Sequence, residues 1–136
     1  MADGGLIDGT TRLLKKTLDL RMRKQQVISS NIANAQTPRY LAKKFEFIDE
    51  LQQAVSNPSQ GMWVTNPRHI AGTGGTLDNV QGRLSTVPDR SGLGDGNTVK
   101  MEEEMVDLAQ NQIMFEAATQ MLNKKLAIIK YVVQGQ

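Results

Sequence analysis

The sequence contains no cysteine, so thiol nucleophiles, disulfides and thiolate metal sites are excluded together. There is one histidine, His69, in the polar segment Asn66-Pro67-Arg68-His69-Ile70. A single imidazole with no carboxylate or nucleophile in its own segment supplies neither a metal pair nor a proton relay. Metal and triad chemistry are therefore not expected; no catalytic, cofactor-binding or metal residue and no cofactor is singled out, and an enzyme acting at the His69 segment is left little room. Aromatic residues make up 4% of the chain and hydrophobic residues 39%, a lean supply for a self-sufficient core. Long apolar runs are also missing: Leu126-Ala127-Ile128-Ile129 is among the longest, far short of the ~20 residues a bilayer-spanning helix needs. The first residues, Met1-Ala2-Asp3-Gly4-Gly5, form neither a basic nor an apolar leader, so no cleaved secretory signal is expected. Sixteen basic against fourteen acidic residues leave a net charge of +2, which does not demand nucleic acid.

The 136 residues suffice for one folded domain, and their composition divides it into three stretches, 1–55, 56–97 and 98–136. In the first, Leu6, Leu13, Leu20 and Val27 recur every seven residues, beside a second column of Ile7, Leu14, Ile28 and Ala35 broken by Arg21. With Leu18 and Ile32 they form a broad apolar band on a helix of about 25 residues. Thr37-Pro38 is the expected stop, because proline disfavours helical backbone before it. Extended chain to Phe47 and a short helix ending at Ser56-Asn57-Pro58 follow. Residues 56–97 hold eight of the twelve glycines and three of the four prolines. This insertion reads as a mobile loop or as a small hairpin pairing Gly61–Thr65 with Gly82–Val87. From 98 to 133 the chain is again free of glycine and proline, with Asn97 or Thr98 as N-cap, acids at its start and Lys124, Lys125 and Lys130 at its end. Met101, Leu108, Phe115, Leu122 and Ile129 repeat every seven residues, flanked by a second column of Met105, Leu126 and Val133. The expected fold is mainly α: two long antiparallel, coiled-coil-like terminal helices around the insertion. Such a pair is near break-even in stability on its own, so full ordering is expected only in an assembly.

Two features invite functional readings and are better explained by structure. Gly92-Leu93-Gly94-Asp95-Gly96-Asn97 lacks both the preceding strand and the Lys-Ser/Thr of a phosphate loop, and reads as a turn. Arg12, Lys15, Lys16, Arg21, Arg23 and Lys24 form a basic helix face with no aromatic residue among them. A solvated or inter-subunit face outweighs a nucleic-acid surface, which stays as the alternative from a different functional class.

Ser30-Asn31-Ile32-Ala33-Asn34-Ala35-Gln36-Thr37-Pro38-Arg39-Tyr40 resembles the signature of the flagellar rod, hook and hook-filament junction family, S-N-I-A-N-A-D-T-P-G-Y. Ser30, Asn31, Ile32, Ala33, Asn34, Ala35, Thr37, Pro38 and Tyr40 agree; Gln36 and Arg39 replace the usual Asp and Gly. The Asn66–Ile70 segment and Asp95-Gly96-Asn97-Thr98-Val99 resemble the proximal-rod branch, with rod protein C as the confusable relative. The resemblance implies a structural subunit of the basal-body rod, a helical tube acting as drive shaft and export channel. It implies export by the type III apparatus without a cleaved signal, to a rod that spans the periplasm. The implied partners are the subunit itself, rod proteins C and F, the hook-basal-body adaptor and the export gate, with no small-molecule substrate and no nucleic acid. Leu13, Leu20, Val27, Met101, Leu108, Phe115, Leu122 and Ile129 would then form the assembly seam, the Asn31–Tyr40 corner would hold the helix end against neighbours, and residues 56–97 would project outward or stay mobile.

Overall fold

The computed structural model describes residues 9–56, 77–90, 92 and 94–134. Helix α1 runs Gly9–Ala33 and helix α3 Met101–Gln134, and the two pack antiparallel along α1. Between them lie strand β1 (Lys43–Glu46), helix α2 (Ile48–Ser56), a 3₁₀ turn (Leu77–Asn79) and strand β2 (Arg83–Thr86). The fold is mainly helical, with long terminal helices and a small antiparallel sheet in which Lys43 opposes Thr86 and Glu46 opposes Arg83.

The leucine columns account for α1. Leu20 and Ile28 are buried, and Leu13 and Val27 are half-buried. Extended chain followed by a short helix across residues 43–56 also agrees with the sequence pattern. The sheet differs from the expected hairpin: β2 pairs with β1, and Gly61–Thr65 lies outside the described residues. Part of the insertion is also core rather than projection. Val80 is buried and packs with Leu20, Phe45, Phe47 and Ala54, with Leu77 against the cluster. Burying side chains of this size contributes about 1.5–3 kcal/mol each.

Glycine is required at one position in this cluster. Gly82 has φ +73°, and a Cβ there would collide with the Phe45 ring. The Glu50 carboxylate of α2 accepts the Gln81 and Gly82 amides at 3.1 and 2.9 Å, fixing the chain where β2 begins. At the far end of the same layer, Asp78 accepts Arg12 at 2.7 Å on its side chain and Lys16 at 3.1 Å on its carbonyl. Two members of the basic face of α1 are thus engaged within the chain.

Both long helices end differently from the sequence expectation. α1 stops at Ala33, four residues before Thr37, because Asn34 enters a turn in which its amide bonds Asn31 and Ser30 carbonyls at 3.1 and 3.2 Å. α3 begins at Met101, its first bond running from the Glu104 amide to the Lys100 carbonyl at 3.0 Å. Asn97 and Thr98 are not its N-cap; their side chains are committed elsewhere.

Candidate assembly site: the corner and the long helix

Asn31 lies at the centre of the corner and is fully buried. Its amide nitrogen donates to the Lys43 carbonyl at 2.7 Å and to a Glu104 carboxylate oxygen at 2.9 Å. Its amide oxygen accepts the Lys43 N–H at 2.9 Å and the Tyr40 hydroxyl at 3.4 Å. All four hydrogen-bonding positions of a carboxamide are used. One side chain therefore joins α1, β1 and α3, occupying the outer edge of β1 as the backbone of a neighbouring strand would.

The next residues of the signature build the turn. The Asn34 side chain donates to the Ser30 carbonyl at 2.8 Å and accepts the Thr37 hydroxyl at 3.2 Å. Tyr40 N–H reaches back to the Thr37 carbonyl at 3.3 Å across Pro38 and Arg39. Proline at the second position and positive φ at the third are the marks of a type II turn. Arg39 adopts φ +60°, the left-handed backbone that the family's usual glycine would take without strain. Its replacement has not abolished the turn, because Arg39 N–H is held by the Asp95 carbonyl at 2.9 Å. Ser30, Ile32, Ala35 and Tyr40 are half-buried, while Ala33, Gln36, Thr37 and Pro38 are exposed.

The Asp95–Val99 segment supplies the other half of the corner. The Asn97 amide donates to the carbonyls of Asn34, Ala35 and Thr37 at 2.9, 3.0 and 2.8 Å. These carbonyls belong to the turn that follows Ala33, where those of Asn34 and Thr37 also accept the Thr37 and Tyr40 N–H groups. Asn97 thus holds the turn after α1 across 60 residues of sequence, and its own oxygen accepts Val99 N–H at 2.8 Å. The Thr98 hydroxyl accepts Ala42 N–H at 2.8 Å and donates to the Val87 carbonyl at 3.0 Å, bridging a rung where the two strands part. The direct Val87 N–H to Ala42 carbonyl bond beside it measures 2.8 Å. Two motifs distant in sequence are one site in space.

Along the pair, the predicted column on α3 meets α1 only in part. Leu108, Phe115, Leu122 and Ile129 are half-buried and Met101 is exposed. The more deeply buried column is Glu104, Asn111 and Ala118, which interleaves with the first at alternating steps of three and four. Asn111, 2% exposed, donates to the Arg21 carbonyl at 2.9 Å. Arg21 returns a contact to Asn111 at 3.4 Å and lies over the Phe47 ring, 5.6 Å from its centre. Burial holds the Arg21 guanidinium below its ordinary pKa. Hydrophobic periodicity could not find Glu104 and Asn111 because both are polar; their seven-residue spacing within an apolar seam was the available signal.

α3 carries a second apolar stripe that the other described residues leave open. Val106, Ile113, Met114, Met121 and Ile128 are exposed, Ile113 to 66%. Met105, Leu126 and Val133, expected to widen the seam, are exposed as well. No group of three or more metal-ligating side chains and no membrane-spanning helix occurs among the described residues. His69 lies outside them. Asp95, Gly96 and Asn97 of the glycine-rich loop form a turn, with Asn97 N–H on the Asp95 carboxylate at 3.0 Å.

The family described as "Flagella basal body rod protein" matches residues 16–40, most of α1 and the corner. Flagellar basal body rod protein FlgB of Bacillus subtilis is 36% identical over 132 residues, covering 96% of this chain and 97% of its own. The chain belongs to the FlgB family of flagellar basal body rod proteins. FlgB of Salmonella typhimurium is 31% identical, covering 95% of this chain and 96% of its own. FlgB of Escherichia coli is 29% identical over the same shares. The match extends far beyond the signature and includes both long helices. Membership in the FlgB family makes the protein a structural rod component of the flagellar basal body.

Proposed function

We propose that this subunit builds the proximal end of the rod, a helical tube that transmits torque and encloses the export path. The observation that carries this reading is the open stripe on α3, from Val106 to Ile128, beside a corner whose polar groups are satisfied internally. The corner sets the angle at which α1 and α3 leave the small sheet, and the stripe is the apolar surface left over for neighbours. On this reading the neighbours are further copies, rod proteins C and F, the hook-basal-body adaptor and the export gate. The subunit reaches the periplasmic rod by type III export without a cleaved signal, performs no catalysis and binds no cofactor, small-molecule substrate or nucleic acid. The half-buried column Leu108, Phe115, Leu122 and Ile129 serves as the internal seam on which that surface is mounted, while Leu20 and Val27 of α1 pack on the Phe45, Phe47, Ala54 and Val80 layer.

The test is deletion of the gene followed by imaging of basal bodies. Rings without a rod, restored together with swimming by a wild-type copy, are the expected result. A complete rod and normal motility in the deletion strain would overturn the assignment.

A further inference from the structure

The last turns of α3 differ from the rest of the helix. In Leu126-Ala127-Ile128-Ile129-Lys130-Tyr131-Val132-Val133 only Lys130 is charged, and eight consecutive residues take every direction around a helix. Leu126, Ile128, Tyr131, Val132 and Val133 are all exposed, Tyr131 to 79%. A helix that is apolar on all sides is buried on all sides in its working state. α1 does not reach this far: the bonds Asn31–Glu104 and Asn111–Arg21 set the antiparallel register, which brings Gly9 opposite about residue 124. The end of α3 therefore extends past the described part of its own partner by about ten residues, or ~15 Å.

At the opposite end of α3 the surface is complementary. Exposed Met105 and Val106 begin the open stripe, flanked by exposed Glu102 and half-buried Asp107, whereas Lys124 and Lys130 flank the apolar end. Resting on the rod-subunit reading above, we propose that the 126–133 end of one copy docks on the Met105–Val106 start of α3 in a second copy. This is a head-to-tail contact between different patches. Such a contact leaves a free patch of each kind after every addition, so it propagates rather than closing into a symmetric dimer. Acid against base fixes the polarity and opposes the two like-ended arrangements.

The absence of native cysteine allows a direct test in the full-length protein. Met105→Cys and Val133→Cys are made separately, one of them carrying a mass tag, then mixed and oxidised. Within one helix these positions are ~42 Å apart, beyond any disulfide. The expected product is the mixed 105–133 dimer, in excess over both like-with-like dimers, and Lys124→Glu with Lys130→Glu lowers its yield several-fold. A Met105→Cys/Val133→Cys double variant forms a ladder of oligomers. Predominant 133–133 or 105–105 dimers, or a monomer with no cross-link across the concentration range, would overturn the contact. So would an internal disulfide between Leu6→Cys and Val133→Cys, which would show the chain's own first residues covering the helix end. Basal-body fractionation of the Lys→Glu variants' parent protein separates the two readings. Its presence there without the 105–133 cross-link rejects the contact alone, and its absence from basal bodies rejects the rod assignment.

Discussion

The side-chain amide of Asn31 and the backbone of Lys43 exchange two hydrogen bonds, 2.7 Å out and 2.9 Å back, as adjacent strand residues do. A side chain here supplies the rung that a third strand would otherwise provide. The same amide reaches Glu104, so one residue ties the edge of the sheet to both long helices.

Asn31→Ala is expected to cost about 3 kcal/mol or more, because it leaves Lys43 backbone groups and a Glu104 oxygen buried without their partner. Asn31→Asp places a carboxylate against the Lys43 carbonyl and Glu104, raising its folded-state pKa above the ordinary carboxylate value. Its penalty relative to wild type grows as pH rises above that ordinary value and shrinks as pH falls from 7 toward 4. Urea denaturation of both proteins at each pH measures the difference.

Asn97→Ala removes the donor to the carbonyls of the turn after α1 and is expected to lower stability by about 1–2 kcal/mol. Hydrogen exchange would show the effect at residues 30–37 rather than at the start of α3, the reverse of what an N-cap of α3 would give. Thr98→Val loses the bridge between Ala42 and Val87, and Thr98→Ser retains it, so the pair separates hydroxyl from shape by their denaturation midpoints.

Arg39→Gly is expected to stabilise the fold by about 1 kcal/mol or somewhat less. The left-handed backbone costs a side chain roughly 1–2 kcal/mol, and the extra freedom of glycine in the unfolded chain returns part of that. A lower thermal midpoint in the glycine variant would show that the arginine side chain itself contributes at the corner.

The two apolar columns of α3 separate folding from assembly. Phe115→Asp puts an unpaired charge into the α1–α3 contact and is expected to unfold the pair, seen as loss of helical circular dichroism. Ile113→Asp, on the open stripe, keeps the helical signal and the denaturation midpoint near wild type while preventing incorporation into basal bodies. Retained incorporation by Ile113→Asp would remove the stripe from the interface.

The long helices were legible because Leu20, Val27, Leu108 and Phe115 recur at helical spacing and helix formation follows such patterns. The corner was legible as a segment, since Ser30–Tyr40 matches a signature, but not as a network. Asn31 could be marked as unusual, yet its partners Lys43 and Glu104 carry no local signal that they will meet it. Asn97 was misassigned to the helix that follows it because capping rules are local, whereas its acceptors lie 60 residues back. The sheet partner of β2 was missed for the same reason: strand-like composition at Arg83–Thr86 does not say which strand will be beside it.

The Asn97 contact has a temporal meaning as well as a geometric one. Its three acceptors, and the Asn31–Glu104 and Tyr40–Thr98 bonds, all join the first third of the chain to residues after 94. Closing such long loops costs entropy before any contact repays it. On the export route proposed above, a chain that emerges one end first through a narrow passage therefore carries an unfinished corner for most of its transit. On that same reading, the bend that shapes the subunit forms only when nearly all of it has come through.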